Sequence, residues 1–147
     1  MRAWWMMGAV VLASALLAGC GEQPKVKLVS AEMISRDTGS PDFKRMIKIC
    51  FDQPLSGDYH HEIVIESKDG FSINGIGVLR AAASDPDNPC ITRNLNQYVN
   101  KNSPPRARDL IERYLVKGNV ASVKITVWGD ESGQKGLKMD SKMFSNL

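Results

Sequence analysis

The chain has 147 residues, 24% of them charged and 43% hydrophobic, with 19 Lys+Arg against 16 Asp+Glu for a net charge of +3. That balance is too even for an electrostatic nucleic-acid footprint, which needs a clustered basic excess. The length suits one domain with its own core, and no repeat or second composition regime suggests two.

The first element is an apolar segment. Trp4 to Ala18 is apolar except for Ser14, is preceded by Arg2 and closes on Leu17-Ala18-Gly19-Cys20. A charged start, a short apolar core and a small-residue exit describe a secretory signal, and the run is shorter than the roughly 20 residues of a bilayer span. Leu17-Ala18-Gly19-Cys20 resembles the lipobox of bacterial lipoprotein precursors. That resemblance covers four residues of the 147 and implies cleavage before Cys20, acylation of Cys20 and a lipid-anchored place in the cell envelope. Gly21, where Asp commonly retains such proteins in the inner membrane, then points to the outer membrane of a Gram-negative cell. The expected organisation is a signal peptide over 1–19, a lipidated cysteine and tether over 20–25, and a domain over 26–147. Cleavage removes one charge, Arg2, so the net falls from +3 to +2.

Cys50 and Cys90 remain. In an oxidising compartment such a pair usually bridges, although two buried thiols are the alternative. Without a CxxC spacing, thiol-redox chemistry has no support.

Alternation and turn residues predict an opening strand over 25–36, a turn over 37–42 and a strand over 43–51 with Ile47, Ile49 and Phe51 on one face. Cys50 falls on the Lys48 face, so the bridge requires a bulge or a place near a sheet edge. Residues 53–58 read as a loop, 62–67 as a strand, Lys68-Asp69-Gly70 as a hairpin turn and 71–80 as the returning strand. Gly75 and Gly77 within it suggest a bulge or a close backbone approach. A loop over 81–89 and a strand over 90–99 follow. Ser103 as cap and Pro104 in the first turn then open a short helix bearing Leu110, Ile111, Tyr114 and Leu115, which Gly118 ends. Strands over 120–128 and 137–144 flank a turn over 129–136, and Trp128 reads as core filler, with an exposed contact as the alternative. The sum is a mainly β fold: a small immunoglobulin-like β-sandwich with one short helix, or alternatively a small open β-barrel.

Chemistry is sparse. Asp58, His60 and Glu62 have the residue types of a metal site, but His60 and His61 point to opposite faces of a strand, which favours a polar strand entry. Asp85-Pro86-Asp87-Asn88-Pro89 offers calcium-type oxygens without the spacing of a calcium loop, and a turn is expected. Arg106, Arg108, Arg113 and Lys117 surround the helix as a solvated face, with anionic lipid headgroups as the alternative. GxSxG, GxGxxG and Walker patterns are absent, so no catalytic residue and no cofactor are assigned. The expected function is a non-catalytic binding or accessory lipoprotein with an envelope-protein partner. A protective inhibitor of a lysozyme-like enzyme or toxin, and a metal-dependent module, are the alternatives.

Overall fold

The computed structural model describes residues 23–34, 45–82 and 84–147. The leader with Cys20, and the turn expected over 37–42, lie outside them. The described residues form seven strands: β1 (Leu28–Ile34), β2 (Met46–Phe51), β3 (Gly57–Ser67), β4 (Ser72–Ala81), β5 (Cys90–Asn94), β6 (Val120–Glu131) and β7 (Gln134–Ser145). A 3-10 turn (Leu95–Tyr98) and helix α1 (Ala107–Tyr114) lie between β5 and β6. All pairings are antiparallel, in a three-stranded sheet of order β1-β2-β5 and a four-stranded sheet of order β4-β3-β6-β7. The chain changes sheet after β2, β4 and β5. This is the immunoglobulin-like sandwich expected from the sequence, not a closed barrel.

Period-2 patterning builds the core. Tyr59, Ile63 and Ile65 on β3 face inward beside Val123, Ile125 and Val127 on β6, and Ile47, Ile49 and Phe51 on β2 close the other side. Each such side chain is worth roughly 1.5–3 kcal/mol when taken out of water. Ile111 and Leu115 from the α1 segment cover one end of this core.

Several boundaries differ from expectation for identifiable reasons. β3 begins at Gly57, so the polar stretch through His61 is strand, held between β4 and β6. β5 stops at Asn94, whose Oδ1 accepts from Asn96 N at 3.0 Å and turns the chain into the 3-10 segment. Ser103 does not cap α1. Its Oγ accepts from Asn100 N in a preceding turn, and the helix starts after Arg106 in a left-handed conformation. The last hairpin turns at Ser132 and Gly133, both at positive φ, which lengthens β6 and β7 beyond the expected strands.

Cys50 and Cys90 stand directly opposite each other on β2 and β5 and form a disulfide with Cα atoms 4.1 Å apart. Since β5 is an edge strand, the bridge sits at the sheet margin, one of the two placements that the alternation allowed.

The two ends of the sandwich differ. At one end Gln23 Oε1 accepts from Asp130 N at 2.7 Å and Tyr59 Oη donates to the Pro24 carbonyl at 2.8 Å, fixing the chain from Gln23 onward. At the other, Arg45 donates to the Glu112 carbonyl and Phe71 packs against Tyr114, which places α1 there. The eleven residues of β3 separate these ends by about 35 Å. No helix among the described residues is long and apolar enough to cross a membrane.

Candidate functional site

The outward face of β3 carries Asp58, His60 and Glu62 in a row, as alternation requires, but each turns to a different partner. Asp58 pairs with Arg80 Nε at 3.2 Å, His60 Nε2 meets Asp130 Oδ1 at 2.7 Å, and Glu62 pairs with Lys135. The contact with His60 holds the Asp130 carboxyl below its usual range. Among the described residues no group of three His, Cys, Asp or Glu side chains can hold a metal ion. The three residues are members of separate surface pairs rather than one ligand set.

Trp128 corrects the expectation of core filler. It lies within β6, opposite His60 on the outward face, half-buried beneath Lys135, whose Nζ is 4.1 Å from the ring centroid. The loop at Asp85–Pro89 is a turn. Asn88 ties it down, its Oδ1 accepting from Leu55 N and its Nδ2 donating to the Leu55 and Ala82 carbonyls. The basic residues near α1 lie at the end of the sandwich opposite Gln23, with Arg106 paired to Asp109 and Lys117 to Glu32.

The inward face of β3 holds what the sequence reading passed over. His61 is fully buried with Ile63 and Ile65, although its neighbour His60 faces outward. Its Nε2 is 2.8 Å from Tyr98 Oη, and the two rings meet edge to face. Nδ1 lies beside the Gly77 backbone without a well-formed hydrogen bond. Burial first, and the Arg93 guanidinium second, lower the His61 pKa to about 4, so the imidazole is neutral at pH 7. Burial raises the Tyr98 phenol, against the opposing effect of Arg93.

This cluster fits because β4 has no side chains where it passes. Gly75 and Gly77 face inward opposite Ile63 and His61. A Cβ at Gly75 would lie 2.1 Å from Tyr98 Cδ1, and one at Gly77 would lie 2.9 Å from His61 Cε1 and 3.1 Å from Arg93 Nη2. Close backbone approach, not a bulge, therefore explains the glycines, and β3 and β4 pair without a register shift. Parity alone put His61 on the Ile63 and Ile65 face. Two glycines on the neighbouring strand were the accompanying signal.

β4 is also an edge. Ser67 N donates to the Phe71 carbonyl at 2.8 Å, which sets odd-numbered residues of the pair to bond each other. Ser72, Asn74, Ile76, Val78 and Arg80 therefore direct their backbone groups away from β3. The Val78 carbonyl is taken by Arg93 Nη1 at 3.2 Å, from β5 of the other sheet. No hydrogen bond among the described residues reaches the outward groups of Asn74 and Ile76. Beside them runs a groove of ≈ 560 Å³ between Ser72–Ile76 and a wall that includes Asn102, Ser103 and Pro104. Its rim carries Ile76, 73% exposed.

The arrangement offers hydrogen-bond donors and acceptors at strand spacing, an apolar side chain and amide and hydroxyl groups facing them. That chemistry recognises an extended main chain. No protein-family model matches this chain, and no curated protein or solved structure matches it either, so a functional reading rests on these residues alone.

Proposed function

We propose that this protein is a lipid-anchored envelope lipoprotein whose sandwich is a non-catalytic binding module serving an envelope assembly. The observation that carries the reading is the spacing between Cys20, which ends the signal-like run, and Gln23, which the sandwich already holds. Three residues span about 10 Å at most, so the domain rides against the membrane. Acyl chains on Cys20, at roughly 0.8 kcal/mol per buried methylene, make the attachment lasting. The end bearing Gln23 and the Ser132-Gly133 turn then faces the lipid, and α1 points away. Lipid headgroups are not the targets of Arg106, Arg108 and Arg113, because about 35 Å exceeds the ~8 Å screening length several times.

Binding is favoured over catalysis because the open backbone groups of β4 are recognition chemistry, whereas the surface acids pair with cations one by one. The test is metabolic labelling with a palmitate analogue and membrane fractionation of wild type and Cys20→Ala. Label on the wild type alone, with release of the variant from the membrane, supports the reading. An unlabelled wild type, or a variant that remains membrane-bound, contradicts it.

A further inference from the structure

We infer that the free edge of β4 is the site at which a partner is held, by addition of an extended strand with an apolar residue against Ile76 and a basic residue near Glu66. This inference rests on the binding-module reading and names the partner's chemistry.

The four edges are not equally available. β7 is twelve residues long but carries Lys135, Lys138 and Lys142, and its pairing with β6 is broken by register shifts. Charged side chains and bulges of that kind keep other strands away. β1 has seven residues and a bulge between Leu28 and Ser30, and β5 has five. β4 has ten residues, no proline, no lysine and no register shift. Its single charge, Arg80, is at the far end and already pairs with Asp58. Among the edges that the described residues form, β4 alone lacks these guards.

Side chains around β4 state what fits. On the outward face Ile76 and Val64 are exposed, so an apolar residue placed beside Ile76 buries surface on both strands. Glu66 stands across from Ser72 on β3, and among the described residues no cation pairs with it. A lysine or arginine opposite Ser72 would reach it. On the groove side Asn102 and Ser103 suit small polar residues, so the incoming strand alternates apolar or basic with polar. A second copy of the chain is a poor occupant: antiparallel β4–β4 pairing would point the two Gln23 ends in opposite directions, and anchors in one membrane forbid that.

The experiment uses the full chain in detergent with an end-capped peptide, Lys-Thr-Val-Thr-Ile-Thr-Val, and single-residue amide hydrogen exchange. In the free protein Asn74 and Ile76 should exchange quickly, while Ile73 and Gly75, bonded to β3, should be protected. Saturating peptide should slow Asn74 and Ile76 by about tenfold or more and leave Gly75 unchanged. Ile76→Pro removes an outward N–H without removing a bond to β3, and should abolish the effect. Ile76→Lys should weaken it if the proline variant fails to fold. A peptide with Glu in place of Lys should bind several-fold more weakly. Unchanged exchange at Asn74 and Ile76 while Gly75 stays protected would overturn the inference. So would slowing confined to Val29–Met33 and Met143–Leu147, the groove between β1 and β7. Neither result bears on lipid anchoring, which the labelling of Cys20 reads separately.

Discussion

The four-stranded sheet has two edges made in opposite ways. β7 is studded with lysines, departs from ideal register and lies beside the Trp128, Lys135 and Glu62 contacts of the outward face. β4 is smooth, nearly uncharged and backed by a buried polar cluster that only two glycines make room for. One edge is defended by its side chains; the other keeps its backbone available. A strand that gives up side chains at Gly75 and Gly77 forgoes packing and backbone entropy, and here it gains a seat for Tyr98 and His61.

That contrast can be broken at several places, beginning with the side of the sandwich that β4 shares with β5. Cys50→Ala and Cys90→Ala should each cost about 4 kcal/mol, the loop-entropy value for a bridge across this separation. Arg93 on β5 should then lose its hold on Val78. Urea unfolding of the two variants should give matching losses, and unequal losses would show that one thiol matters for packing instead. Gly75→Ala drives a methyl into the Tyr98 ring and should cost about 3 kcal/mol, whereas Gly136→Ala on β7, with its nearest contacts at 3.3 Å, should cost under about 1 kcal/mol. Equal costs at the two edges would erase the distinction.

Acid gives the next effect. His61 titrates near 4 in the folded protein and near 6.5 unfolded, so the unfolded state binds the extra proton first. Stability is whole above pH 6.5, falls as the pH drops from 6.5 towards 4 and levels below that, with a loss of roughly 3 kcal/mol. His61→Gln should flatten the unfolding free energy across that window. Smallest is Lys135→Ala, which removes an exposed ion pair and a cation–π contact and should cost under about 1 kcal/mol by thermal unfolding.

Much of the sandwich was legible because one face of each strand is apolar: Ile47, Ile49 and Phe51, or Val123, Ile125 and Val127, declare both the strand and its direction. The elements that drifted were governed by side-chain hydrogen bonds that composition does not reveal. Asn94 ends β5 by bonding to Asn96, and Ser103 serves a turn before α1 rather than its cap. At the site the polar types were visible but their partners were not. Asp58, His60 and Glu62 share a face, yet Arg80, Asp130 and Lys135 come from three other strands, β4, β6 and β7, and divide them. His61 was hidden by its neighbour, since a pair of adjacent histidines invites one reading and the pleat gives them two.

The most direct test places a photo-crosslinking amino acid at Ile76 on β4 or at Leu137 on β7, which are 73% and 69% exposed, in the lipidated protein in cells. A discrete adduct from position 76, lost on Asn74→Pro and absent from position 137, is the predicted result. Adducts of equal yield from both positions, or from 137 alone, would contradict β4 as the binding edge.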